Sequence, residues 1–168
     1  MAEMNVAVVV GNPKAKSRTY SAGTMAAKLI FEKEPSVVID LADLGAELLN
    51  WESKMVAEAI DSVRQCGALI VASPTFKATY TGLLKLFLDC IPANGLKDKL
   101  AFPVMLGAGP AHALAPELLL KPVLVELGAV CPCPGLYLID KTYETDANFV
   151  NWATAARRFA TWHRESAA

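Results

Sequence analysis

The sequence predicts one α/β domain over residues 1–168, with a five-stranded parallel sheet of order 2-1-3-4-5 and helices on both faces. Three observations carry this expectation. Five short apolar runs alternate with stretches of helical period, and right-handed crossovers then lay helices on both sides of a parallel sheet. The first, third and fourth runs are nearly continuous in apolar residues, as strands covered on both faces are. The fifth follows Cys131-Pro132-Cys133-Pro134-Gly135, where prolines are tolerable beside an edge strand and would break a central ladder.

The predicted strands are Val6–Val10, Val37–Asp40, 68–73, 100–106 and Leu136–Ile139. A helix over 20–31 repeats apolar residues at Met25, Ala26, Leu29 and Ile30, and Ser53 caps a helix that buries Val56, Ile60 and Val63. Residues 81–90 and 113–127 are apolar on more than one side, which suits helices that meet the sheet inwardly and another subunit outwardly. Within the second of these, Pro122 is expected to kink the helix or leave a bulge. The last helix, over 148–164, is expected to turn Phe149, Trp152, Ala156 and Phe159 to the core.

Apolar residues make up 54% of the chain and charged residues 20%, with a net charge of -1. That balance suits a doubly covered sheet and offers neither a nucleic-acid footprint nor a polybasic membrane surface. No apolar run reaches membrane-spanning length and no leader pattern opens the chain, so a cytoplasmic protein is expected. The four cysteines then read as reduced thiols, and Cys131 and Cys133 lack partners at zinc spacing, so no metal is expected.

Function is most legible at Gly11 to Thr19, GNPKAKSRT, which joins the first strand to the first helix. A helix N-terminus presents unpaired N–H groups and the positive end of its macrodipole, and Ser17 and Thr19 add hydroxyls where a phosphate would rest. Lys16 stands where a triphosphate loop needs glycine, and after Gly11 the next glycine is Gly23, too far along for a dinucleotide fingerprint. What fits is a single terminal phosphate, as on a mononucleotide. The same residues also suit a plain strand-to-helix connection with Ser17 as N-cap.

Ligands of such sheets bind beyond the carboxyl ends of the strands where the order reverses, which brings in the loops after strands three and four. The first reads SPTFKATYTGLLK and joins Pro74, Thr75, Phe76, Lys77 and Tyr80, a flat apolar surface with backbone amides for a planar heterocycle. The second, Gly107-Ala108-Gly109-Pro110-Ala111-His112, is small enough for backbone to approach a ring from the other side.

With these segments in place the chain resembles the NAD(P)H-dependent FMN reductases of flavodoxin-like fold, a three-layer sandwich. It is most similar to the flavin reductases of sulfonate-utilising two-component monooxygenase systems. The resemblance rests on SRT at Ser17 to Thr19, SPTFKATYTGLLKLFLD from Ser73, and AHALAPELLLKPVL from Ala111. It implies that Ser17, Arg18 and Thr19 hold the FMN phosphate, Pro74 to Lys77 line the isoalloxazine edge, and Gly107 to Gly109 flank the ring. It also implies a homodimer or homotetramer that reduces FMN with NAD(P)H and supplies a flavin-dependent monooxygenase. Phe76 stands where the family usually has tyrosine, and Leu118 where some members have tyrosine or histidine. The latter difference keeps open a flavoenzyme that retains FMN and reduces quinones or azo compounds.

Hydride transfer between stacked rings needs positioning rather than a proton relay, so no catalytic side chain is required. Lys77 is the candidate for stabilising charge at flavin N1 and O2. Lys14, Lys16 and Arg18 suit either the FMN phosphate or the 2′-phosphate of NADPH, and Asp40 reads as a turn residue. A phospho-acceptor receiver would need an aspartate where Ser73 and Pro74 end strand three, and an acidic flavodoxin carrier does not match the charge balance.

Overall fold

The computed structural model describes residues 4–166, with side chains through Trp162. Its principal elements are β1 (Val6–Val10), α1 (Arg18–Phe31), β2 (Val37–Asp40), α2 (Leu41–Leu44), α3 (Lys54–Arg64), β3 (Ala68–Pro74), α4 (Gly82–Asp89), β4 (Leu100–Gly107), α5 (Lys121–Glu126), β5 (Leu136–Ile139) and α6 (Ala147–Ser166). The strands pair in parallel in the order β2-β1-β3-β4-β5, the order the sequence predicts.

Successive strand residues point to opposite faces, and the core divides accordingly. Ala7, Val9, Leu69, Val71, Ala101 and Met105 pack with Leu41, Ile60, Phe87 and Leu124 from the helices of one layer. Val6, Val8, Val10, Ile70, Phe102 and Val104 pack with Ala26, Ile30, Phe149 and Ala156 from α1 and α6. Gly23 lets α1 lie close to the sheet, since a Cβ there would meet Val8 Cγ1 at 3.0 Å and Ala72 Cβ at 3.1 Å. Among the described residues no helix is long and apolar enough to cross a membrane.

Pro103 is buried within β4, a strand with neighbours on both sides. Its missing N–H costs nothing in the ladder because of where it points. Ala101 donates its N–H to Val130 and Gly107 accepts from Asp140, so odd positions of β4 face the β5 side. Pairing with β5 begins only at Val104 opposite Leu136, leaving residue 103 beside the irregular approach to that strand.

Two expectations are corrected. Phe159 is 42% exposed, and the buried stripe of α6 is Phe149, Ala153, Ala156 and Ala160. At about 100° per residue, position 160 returns to the azimuth of 149, whereas 159 falls about 80° short. Trp152 is partly buried and donates its indole N–H to the Pro134 carbonyl at 2.8 Å. The expected helix over 113–127 is also broken: a π-helical turn spans Pro116–Leu120 and α5 follows it. Lys121 donates its N–H five residues back to Pro116. This wider turn relieves the contact that the Pro122 ring would otherwise make with the Leu118 carbonyl, so the bulge expected of Pro122 lies just ahead of it.

The π turn also anchors the proline-rich approach to β5. Glu117 accepts from Lys121 Nζ at 2.8 Å and from the Gly135 N–H at 2.7 Å, and Lys121 reaches the Cys133 carbonyl at 3.2 Å. The Lys121 hydrogen bond, aided by the Gly135 N–H, holds the Glu117 carboxyl below its ordinary range. Because the folded state favours the ionised form, this contribution is present above the ordinary carboxylate range and fades as pH falls through the folded value. Glu117→Gln is therefore expected to lower stability by about 0.5–1 kcal/mol at pH 7, a modest value for a partly exposed pair. Thermal melts should show a loss of about 2–4 °C at most, shrinking as pH is taken below the carboxylate range. A pH-independent difference would contradict this reading of Glu117.

Candidate functional site

The carboxyl ends of β1, β3, β4 and β5 converge on an open cavity of about 400 Å³, floored by Leu106 and reached by the loops after each strand. A second cavity, of about 570 Å³, adjoins it through Thr75, Gly107 and Ala108 and extends along residues 109–112 to Tyr137. Both volumes fall within the range of small-molecule sites.

The first wall is the N-terminus of α1. Ser17 caps it, its Oγ accepting from the Tyr20 N–H at 3.3 Å, and both Ser17 and Thr19 are buried. Asn12 donates through Nδ2 to Thr19 Oγ1 at 3.0 Å, while its Oδ1 accepts the Lys14 N–H at 2.9 Å and closes the preceding turn. Lys16 takes a left-handed φ of 50°, and Asp40 Oδ2 secures it by accepting its N–H at 2.9 Å. Asp40 is thus a buried brace of the loop. The Lys16 ammonium lies 4.2 Å from the centre of the Tyr20 ring, whereas Lys14 and Arg18 line the cavity.

A second wall comes from the end of β3. Thr75 donates its N–H to Leu106 at 2.6 Å, and Phe76 and Thr79 exchange backbone hydrogen bonds across a tight turn. Its two central residues, Lys77 and Ala78, have φ of 52° and 71°, which neither side chain favours. The turn sets Phe76 at the cavity rim, half exposed, and puts Lys77 at the exposed tip outside the lining. Ser73 Oγ accepts the Thr81 N–H at 3.1 Å, and Thr81 caps α4 and donates to the Gly11 carbonyl. Gly11 thereby links the first loop to α4, and a Cβ on it would stand 2.6 Å from Leu84 Cβ.

Gly107 forms the third wall. A Cβ there would lie 1.9 Å from the Tyr137 hydroxyl, which donates to the Gly109 carbonyl at 2.8 Å. Asp140, just past β5, donates its N–H to Gly107 at 2.9 Å and accepts from Arg18 Nη1 at 2.9 Å. Two side-chain oxygens of the lining residues, Thr75 Oγ1 and Asp140 Oδ1, are themselves buried and have no hydrogen-bond partner among the described residues.

Of the residues singled out from sequence, Ser17, Arg18, Thr19, Pro74, Thr75, Phe76, Gly107 and Ala108 line the first cavity, and Gly109 lines the second. Gly11 and Lys77 lie outside both linings, and Tyr80 packs against the core of the α3–α4 layer. Asn12, Tyr137 and Asp140 join the walls without having been singled out. The signal for Asp140 was its place just beyond the end of β5, beside β4 whose end feeds the same cleft, while Tyr137 lies within that edge strand.

A family model described as NADPH-dependent FMN reductase matches residues 4–144. An FMN reductase (NADPH) of Pseudomonas putida is 32% identical over 141 residues, covering 82% of this chain and 72% of the relative. An FMN reductase (NADPH) of Escherichia coli is 33% identical over 130 residues, covering 75% and 68%. The solved apo form of an NADH:FMN oxidoreductase, EMOB, superposes with a TM-score of 0.84 at 28% identity, over 97% of this chain and 89% of that one. Fold, loop order and sequence agree, and the chain belongs to the NADPH-dependent FMN reductase family.

Proposed function

We propose that the paired cavities are where this FMN reductase binds FMN and brings it against NAD(P)H for hydride transfer. The observation that carries this is the convergence of a capped helix N-terminus, a turn rim and a glycine strand end on one cleft lined by Asn12, Arg18, Thr75 and Asp140. The absence of a side chain at Gly107 makes room for the Tyr137 hydroxyl, which stands where a Cβ would be and completes this wall. FMN, with an anionic end and a flat end, fits these walls.

Ser17, Arg18 and Thr19 hold the phosphate, with the first-turn N–H groups and the guanidinium supplying positive potential. Asn12 fixes Thr19 by using its acceptor capacity, which leaves the hydroxyl proton for the ligand. Pro74, Thr75 and Phe76 bound the ring on one side, and Gly107, Ala108 and Gly109 on the other. Bound FMN supplies the ring that takes up hydride, and the protein supplies alignment and exclusion of water. The N–H groups of Thr75 and Phe76 are engaged with Leu106 and Thr79. Donors toward N1 and O2 are assigned to the 108–109 amides and to Lys77, which stands at the exposed turn tip outside the lining.

Leu114, Leu118 and Leu119 are exposed and line a shallow groove beside Ala78. Such an apolar face supports the reading of a homodimer or homotetramer, with the groove as a subunit contact. A flavin-dependent monooxygenase is the fitting consumer of the reduced flavin, in the cytoplasm.

The test is to purify the protein, record its visible spectrum, and follow NADH and NADPH oxidation with and without added FMN. The expected result is a colourless protein whose oxidation rate saturates with free FMN. A yellow protein that turns over only with a quinone or azo acceptor would replace this reading with a retained flavin. No nicotinamide oxidation under either condition would overturn the assignment of activity to this cleft.

A further inference from the structure

We propose that the Phe76–Thr79 turn is the exit gate of the cleft, and that left-handed strain at Lys77 and Ala78 sets how fast flavin leaves; this rests on the cleft being the FMN site. The base of the turn is firm. Thr75 donates its N–H to Leu106 at 2.6 Å and Ser73 Oγ accepts the Thr81 N–H at 3.1 Å, so the chain is fixed on both sides of the tip. The tip itself is held lightly. Phe76, Lys77 and Ala78 are exposed, and the two backbone bonds between Phe76 and Thr79, at 2.9 and 3.3 Å, close the turn. Neither Lys77 nor Ala78 makes a hydrogen bond with any described residue.

Other left-handed positions of the chain are braced or chemically suited, and this one is neither. Among the described non-glycine residues with positive φ, Lys77 and Ala78 are the only adjacent pair. Asn94 and Asp98 carry the short polar side chains that tolerate this region. Lys16 is secured by Asp40 at 2.9 Å, and Glu32 ends α1 with its N–H on the Lys28 carbonyl. Ala78, at a φ of 71°, has no such help. A two-residue hairpin turn of this hand favours Asn-Gly, and each other residue in it raises the closed turn toward the relaxed backbone in energy. The two forms are thereby brought near balance. The effect reaches the cleft because Phe76 lines it, while Ala78 lines the neighbouring groove. Relaxing the tip breaks the Phe76–Thr79 pair and releases the aromatic rim, with the base left in place. A flavin that is handed on needs such an exit, since opening of a rim of this kind limits product release.

Substitutions at residue 78 isolate the strain from side-chain size. Ala78→Gly and Ala78→Asn both ease a left-handed backbone, one by removing a side chain and the other by enlarging it, whereas Ala78→Val worsens it. The rate of FMN release is to be read from the stopped-flow recovery of flavin fluorescence when the FMN complex is diluted. Release is expected to slow about three- to tenfold in the glycine and asparagine variants and to quicken in the valine variant. Asp98→Gly relieves the same backbone region just ahead of β4, at the opposite end of the sheet, and should leave release unchanged. Unchanged or faster release in either the glycine or the asparagine variant would overturn the gate, and so would an equal slowing by Asp98→Gly. These variants ease the fold, so the test stands even if Ala78→Val folds poorly. Replacing Arg18 and Thr19 together by alanine separates the gate from the site. If that change weakens FMN binding while residue 78 leaves release unaltered, only the gate falls; if FMN binding ignores it as well, the flavin site lies elsewhere and both readings fall.

Discussion

Replacing Arg18 and Thr19 together by alanine is expected to weaken FMN binding by about 100-fold while riboflavin binding changes little. Hydrogen bonds to a charged group contribute about 1.5–3 kcal/mol each, and about 1.4 kcal/mol is tenfold in affinity. The lower end of that range applies because Arg18 is 63% exposed and shares its guanidinium with Asp140. Thr19, by contrast, is buried at 2% exposure with its oxygen already accepting from Asn12, so its hydroxyl proton is directed and its loss cannot be made good by water from the bulk. The double variant removes a guanidinium and a hydroxyl and leaves Ser17 capping α1, so the helix survives. Isothermal titration with both flavins at low and moderate salt checks this. The wild-type preference for FMN should fall as salt rises, and the variant should show little of that dependence. Equal loss for FMN and riboflavin would mean the two residues act through the fold and not through the phosphate.

Gly11→Ala, just behind the cleft, should be strongly damaging for a single added methyl group. A Cβ at this position stands 2.6 Å from Leu84 Cβ, an atom fixed to the backbone of α4 and itself fully buried. No side-chain rotation clears that contact, so β1 and α4 must separate. The separation strains the Thr81 hydroxyl on the Gly11 carbonyl and the Gly11 N–H on Ala72 at 2.7 Å. Overpacking of this kind costs about 1–3 kcal/mol, and a chain of this size then melts roughly 4–8 °C lower for the middle of that range. FMN affinity should fall with it, because the same shift moves the loop that leads to Ser17 away from β3. The comparison is Gly109→Ala, where a Cβ meets nothing within 4 Å and stability should hold. Similar melting for both variants would contradict the steric account of Gly11.

The layers of this fold were legible because strand burial and strand sequence carry the same information. Val6–Val10 and the third and fourth runs are nearly continuous in apolar residues since both faces are covered, and the prolines ahead of Leu136 marked the fifth strand as an edge, consistent with the order 2-1-3-4-5. The fourth helix was harder to read. Apolar residues on several sides of 113–127 describe a continuous helix equally well, whereas Pro122 resolves its backbone conflict through a π turn that leaves little periodic trace. Phe159 misled for a related reason, since an aromatic residue draws attention while the alanines at 153, 156 and 160 keep the stripe.

The cleft was legible where its parts are contiguous. Ser17 to Thr19, Pro74 to Phe76 and Gly107 to Ala108 are short motifs at strand ends, and each forms one wall. Tyr137 and Asp140 carry no motif. Their importance comes from contacts with Gly109 and Arg18, and Asp140 lies 122 residues from Arg18 along the chain. Lys77 shows the reverse: composition placed it in the loop, but the left-handed turn carries it to the tip.

The most direct measurement is the crystal structure of this protein grown or soaked with FMN. Density for the phosphate within hydrogen-bonding distance of Ser17, Arg18 and Thr19, with the ring between the 74–76 and 107–109 segments, is the expected result. Flavin bound elsewhere on the protein, or bound in this cleft with its phosphate turned away from the first turn of α1, would contradict it.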